Sequence, residues 1–190
     1  RARQAQKVWR DVPVAERAEI CSRAVDAVVA NKDDTAKEIT WQMGRPIRYA
    51  AGEIGGFEER ARHMIAIAPE VLVDRAAGQK EGFTLFIRRE PLGVVFVVAP
   101  WNYPWLTSVN SVIPALMAGN SVVLKPSEKT PLVAQAYADL LMPMLPDGVL
   151  QVIHGDGTQG KALVNADVNL IAFTGSRATG AHILESAGSG

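Results

Sequence analysis

The stretch GVVFVVAPWNYP, residues 93–104, decides how the rest of the chain is read. Val94 to Ala99 form a nearly all-apolar run, the pattern of a strand buried on both faces. Pro100 and Pro104 then fix a loop, and residues 107–118 suit a helix that Gly119-Asn120 ends. The alternation continues downstream. SVVLK (121–125) is a second predicted strand, and 131–142 a second helix. VLQVIH (149–154) is a third strand, followed by a short helix over 158–164. NLIAFT (169–174) is a fourth, followed by a helix over 177–187. Strands and helices alternating at this spacing predict an α/β fold, an open parallel sheet with helices on both faces.

Upstream the period is helical. Ala18, Cys21, Ala24, Val25 and Val28 share one face, with Asp11 or a neighbour as the expected cap and Pro13 in the first turn. Ala36, Ile39, Thr40 and Met43 line a second helix, which Gly44 stops, and Pro46 opens the next. A longer stripe runs through Ile47, Ala51, Ile54, Phe57, Ala61, Met64 and Ala68, with Pro69 as its expected end. Gly78 and Gly82 punctuate a polar linker, and residues 83–90 read as one extended segment closed by Pro91. A lone strand of this kind needs a neighbour, so it is expected as an arm of the oligomerisation type. The expected division is therefore an N-terminal helical segment packing on the sheet (1–75), linker and arm (76–92), and a Rossmann-like α/β region (93–190).

Composition narrows the class. Apolar residues make up 48% of the chain and charged residues 21%, which suits a globular protein rather than a disordered one. The formal net charge is zero, so no basic excess points to nucleic acid. No run approaches the roughly 20 apolar residues that span a bilayer, and the polar start RARQAQKVWRDVP lacks the apolar core of a signal peptide. The lone Cys21 has no disulfide partner within the chain, so a cytoplasmic protein is expected. His63, His154 and His182 show no ligand-like spacing, and no metal site is predicted. The chain begins without methionine and ends on Gly-Ser-Gly, as a cut piece would.

The chemistry sits in the four loops that follow the four predicted strands, where open parallel sheets bind their ligands. Trp101-Asn102-Tyr103-Pro104 holds an amide between prolines. Such an Asn can donate to a developing oxyanion, or simply form a turn among packing aromatics. Lys125-Pro126-Ser127-Glu128 offers a donor and an acceptor for sugar hydroxyls, or a solvated ion pair. Gly155 to Gly160 matches G-x-G-x-x-G, but on the third strand rather than the first, where its glycines can equally serve a tight turn. Phe173-Thr174-Gly175-Ser176 precedes a helix. It can receive a phosphate on free N–H groups, or be a plain capped start.

WNYP, KPSE, GxGxxG and FTGS, in this order and each behind a predicted strand, resemble the aldehyde dehydrogenase superfamily over nearly the whole chain. The resemblance implies NAD as cofactor, with NADP as the alternative, a small-molecule aldehyde as substrate and a homo-oligomer. It implies Asn102 as an oxyanion donor and Trp101 near the cofactor phosphates. Lys125 and Glu128, within a loop that includes Ser127, would hold the adenosine ribose. Gly157 and Gly160 would let the adenine approach the sheet edge, and Gly175 with Ser176 would form the pyrophosphate turn. In the family a cysteine thiolate attacks the aldehyde and a glutamate activates the hydrolytic water. Both normally follow the last strand read here, so the chain resembles the family's N-terminal, cofactor-binding part and is expected to be inactive alone. A non-catalytic nucleotide-binding or assembly fragment is the alternative in another class.

Overall fold

The computed structural model describes residues 1–187. Four helices come first: α1 (Ala2–Trp9), α2 (Val14–Ala30), α3 (Lys32–Met43) and α4 (Ile47–Val71). One helix carries no mark in the sequence, and two local expectations fail. The polar N-terminus forms a helix of its own, held because Trp9 is buried and its indole N–H donates to the Leu116 carbonyl at 2.9 Å. Asp11 does not cap α2. Pro13 stands at the N-cap in an extended conformation (ψ 146°), with no side-chain cap. Pro69 lies inside α4 rather than ending it. In the last turn a proline withdraws only one N–H, and the Leu72 N–H still closes onto the Ala68 carbonyl at 2.9 Å. Gly44 behaves as expected and ends α3 at φ 74°.

The next segment is a hairpin, not a linker and a single strand. β1 (Arg75–Lys80) pairs antiparallel with β2 (Phe83–Ile87), turning at Gly82 with φ 78°. The register shifts between Ala76 and Gly78, where Gly78 takes φ 138°. Every residue of both strands is exposed. A ribbon wet on both faces has no apolar alternation to reveal it, which is why RAAGQK reads as loop. The hairpin stands outside the main sheet, as expected of an arm.

The main sheet has four parallel strands, β3 (Val94–Val98), β4 (Ser121–Lys125), β5 (Leu150–Val152) and β6 (Leu170–Phe173), in the order β5-β4-β3-β6. The chain steps outward from β3 to β5, then crosses back to set β6 on the other side of β3. The order reverses between β3 and β6, and a crevice opens there at the strands' carboxyl ends. The connecting helices are α5 (Pro104–Met117), α6 (Pro131–Leu141) and α7 (Gly157–Val164), with α8 (Arg177–Ala187) following β6. α5 begins earlier than predicted because Pro104 occupies its first turn.

Alternation along the strands divides the core. Val95, Val97, Val122 and Leu124 face a large cluster that includes Val25, Phe57, Trp105, Val109 and Ile113. Val94, Phe96 and Val123 face the opposite side, against Leu163, Val164 and Ile171. β3 is thus covered on both faces, as its apolar run requires. The Trp105 ring stacks on Tyr137 at 4.2 Å and meets Phe57 edge-on at 5.2 Å, locking the start of α5 against α4 and α6.

Candidate functional site

A cleft of about 870 Å³ opens at the carboxyl ends of β3, β4 and β6 and the starts of α7 and α8. All nine residues singled out from the sequence line it: Trp101, Asn102, Lys125, Ser127, Glu128, Gly157, Gly160, Gly175 and Ser176. Its size lies within the range of small-molecule and cofactor sites.

The loop from β3 to α5 carries Trp101 and Asn102, both exposed. Lys129 sets its ammonium 5.4 Å from the centre of the Trp101 ring. The Asn102 amide side chain has no hydrogen-bond partner among the described residues, but its backbone is held: Arg45 Nη2 donates to the Asn102 carbonyl at 2.8 Å. The same guanidinium lies 4.1 Å from the Tyr103 ring centre and pairs with Glu53. Glu53, on α4, accepts the N–H groups of Trp105 at 2.8 Å and Leu106 at 3.4 Å, capping α5 from outside its own chain segment. Burial lifts the Glu53 carboxyl above the ordinary glutamate range, outweighing the Trp105 N–H and the Arg45 charge that favour its ionised form.

Lys125 ends β4 and is buried, with Nζ donating to the Pro126 carbonyl at 3.0 Å. Burial lowers its pKa, and the nearby carboxylates of Glu128 and Asp156 push it back up. Its methylenes lie 3.6 Å from where a Cβ on Gly160 would sit, so α7 and β4 meet closely there. Glu128 itself is exposed at the cleft rim, and Ser127 Oγ accepts the Lys129 N–H at 3.3 Å.

The two helix starts differ. At α7 the Asp156 carboxylate accepts the Thr158 N–H at 2.7 Å, and the Gln159 side chain accepts the Asp156 N–H at 2.9 Å. This capping box occupies the Thr158 N–H and sets a carboxylate at the helix start, which disfavours a phosphate on the glycine-rich turn. Gly155 serves the box: at φ 146°, a Cβ there would strike the Gln159 side chain at 2.5 Å. Gly157 instead faces open space, with nothing within 4 Å of a would-be Cβ. At α8, Ser176 Oγ accepts the Thr179 N–H at 3.2 Å, the expected N-cap. The capping group there is an uncharged hydroxyl. Gly175 has a packing reason as well, because a Cβ there would come within 2.7 Å of the Phe173 ring.

Sequence reading passed over Arg45 and Glu53. A signal for Glu53 was present: it sits between Ala50, Ile54 and Phe57 on the buried stripe of α4, where a carboxylate demands partners. Among the described residues no group of three or more His, Cys, Asp or Glu gathers to hold a metal, and no helix is long and apolar enough to cross a membrane.

The model of the aldehyde dehydrogenase family matches residues 1–190. The chain belongs to the aldehyde dehydrogenase family. It is similar to the 4,4'-diapolycopene aldehyde oxidase of Methylomonas sp, at 37% identity over 98% of this chain and 36% of that protein. The NADP/NAD-dependent aldehyde dehydrogenase PuuC of Escherichia coli (strain K12) is 38% identical over 95% of this chain and 37% of its own length. Among solved structures, PnpE in complex with nicotinamide adenine dinucleotide superposes with a TM-score of 0.93 at 33% identity, covering 99% of this chain and 39% of that one. The open parallel sheet is thus the Rossmann-like fold of aldehyde dehydrogenases. The chain spans about 37% of the length of the curated relatives it matches.

Proposed function

We propose that this cleft binds NAD, with NADP as the alternative, and that residues 1–190 are the cofactor-binding portion of an enzyme oxidising an aldehyde to a carboxylic acid. The observation that carries the reading is convergence. Four loops far apart in sequence bring their nine chemistry-bearing residues into one cleft at the point where the strand order reverses. The residues fit a dinucleotide. Gly157 leaves an open, side-chain-free surface for a planar base. Lys125 and Glu128 offer a donor and an acceptor to ribose hydroxyls. The start of α8, capped by an uncharged Ser176, suits a diphosphate where the Asp156-capped α7 does not.

Bound nicotinamide supplies the hydride acceptor. Asn102 donates its side-chain amide to the oxygen of the reacting carbonyl as negative charge develops there. Trp101 covers the cofactor phosphates. The exposed Glu128 repels a 2′-phosphate, which favours NAD. Cys21 takes no part: it is buried on α2 and its thiol is pushed up to about 12 by burial, so it stays protonated and shielded. The attacking thiol and the general base belong to a longer polypeptide, and residues 1–190 alone turn nothing over.

The remaining proposals follow the same reading. Residues 1–75 pack as a helical layer on the 93–190 region, and 76–92 project an arm. The wet hairpin, with Phe83, Phe86 and Ile87 well exposed, pairs with another copy of the protein in a homo-oligomer. An unpaired, buried thiol suits the reducing cytoplasm. The test is aldehyde-dependent NADH formation by the complete polypeptide carrying these residues, with a reactive short aldehyde such as propanal. Turnover that Asn102→Ala removes supports the reading; turnover indifferent to that change, or none at all, overturns it.

A further inference from the structure

Two charged side chains outside the cleft converge on its most chemical residue. Arg45 stands in the short connection between α3 and α4, its side chain only 12% exposed, and Glu53 lies in the second turn of α4 with its side chain fully buried. The Arg45 fork splits its donors: Nη1 goes to the Glu53 carboxylate and Nη2 to the backbone carbonyl of Asn102. Its guanidinium carbon lies 4.1 Å over the Tyr103 ring next door. The other Glu53 oxygen takes the Trp105 and Leu106 N–H groups. Four groups within residues 102–106, the Asn102 carbonyl, the Tyr103 ring and the Trp105 and Leu106 amides, are thereby tied to one ion pair rooted in α4.

From this juxtaposition we infer that Arg45 and Glu53 are positioning residues for the oxyanion donor: the pair fixes the backbone of Asn102, and so aims its side-chain amide. The inference rests on the proposed role of Asn102. A burial-driven cap alone would need only Glu53 and the two amides. Arg45 adds a bond to the very residue whose side chain carries no hydrogen bond of its own, and no other hydrogen bond among the described residues holds Asn102. A planar, forked cation is what the geometry uses, since one head group reaches carboxylate and carbonyl together.

The test is a mutant cycle on kcat in the complete polypeptide, with propanal and saturating NAD. Arg45→Met should lower kcat roughly 10- to 100-fold, the scale expected when a catalytic group is misplaced by about an ångström. The KM for NAD should stay within about twofold, because uniform binding is untouched. In the Asn102→Ala background the same Arg45→Met change should have almost no further effect, since its only route to catalysis is gone. Arg45→Lys, which keeps the charge but has one head group for two partners, should fall between wild type and Arg45→Met, and it carries the test if the methionine variant fails to fold. An Arg45→Met loss of equal size in both backgrounds, or an Arg45→Lys protein as fast as wild type, overturns the inference. A wild-type protein without turnover would instead remove the proposed function, and this role with it.

Discussion

Replacing Glu53 by Ala should be among the most destabilising single changes in the chain. The side chain is fully buried and serves two sets of partners, the Trp105 and Leu106 N–H groups and Arg45. Removal leaves the buried Trp105 N–H without an acceptor, a penalty of about 1–3 kcal/mol; Leu106 is half-buried and recovers water, so it adds little. It also strands Arg45 as a largely buried cation, and losing one partner of a buried pair costs about 3–5 kcal/mol. The two figures overlap, because both count orphaned partners of one carboxylate, so the expected total is about 3–5 kcal/mol. At about 2–4 °C per kcal/mol for a domain of this size, Tm should fall by roughly 6–20 °C. Glu53→Gln keeps an acceptor for Trp105 and one for Arg45 but loses the charge that pairs with Arg45, so it should cost less than alanine, about 1.5–3 kcal/mol. Urea unfolding followed by circular dichroism measures both. An alanine variant within about 1 kcal/mol of wild type, or a glutamine variant as damaged as the alanine one, would refute this account of the buried network.

Other expectations are more direct. Because burial raises the Glu53 carboxyl, its stabilising contribution is present below the ordinary glutamate value and lost as pH rises through its raised one. Wild type should therefore lose stability relative to Glu53→Gln across that window; the opposite slope would give Arg45, not burial, the upper hand. Asn102→Ala should lower kcat on the order of 10²–10³-fold with NAD affinity nearly unchanged, as steady-state kinetics and titration will show. Glu128→Gln should narrow the preference for NAD over NADP in paired titrations, and a wild type already tighter for NADP would contradict the role given to that carboxylate. Phe86→Asp on the hairpin should shift the complete protein toward smaller species in sedimentation, and an unchanged assembly would detach the hairpin from oligomerisation.

Legibility in the sequence followed burial. β3 and β4 were plain because strands covered on both faces must be apolar throughout, as Val94–Val98 and most of Ser121–Lys125 are. The cleft was legible for a different reason: its residues lie at the ends of the four strands and in the short turns and helix starts that follow them. What stayed hidden has two physical origins. β1 is solvated on both faces, so RAAGQK carries no period, and only its pairing with β2 makes it a strand. The Arg45–Glu53 network joins residues through partners about 50 to 60 positions away, Asn102 and Trp105, and no local pattern encodes such a contact. The Asp11 cap failed because Pro13, with its fixed backbone angle, took the N-cap position itself. Gly175 shows a residue noticed for one reason and held for another as well, since the Phe173 ring already excludes a side chain there.

The central claim is that one cleft, built by four loops, holds the dinucleotide. A crystal structure of the complete polypeptide with NAD tests it most directly. The account predicts the adenine against Gly157 and Gly160, the adenosine ribose between Lys125 and Glu128, and the diphosphate beside Trp101 at the Ser176-capped start of α8. A diphosphate seated instead on the Asp156-capped start of α7, or a nucleotide bound away from these loops, would contradict it.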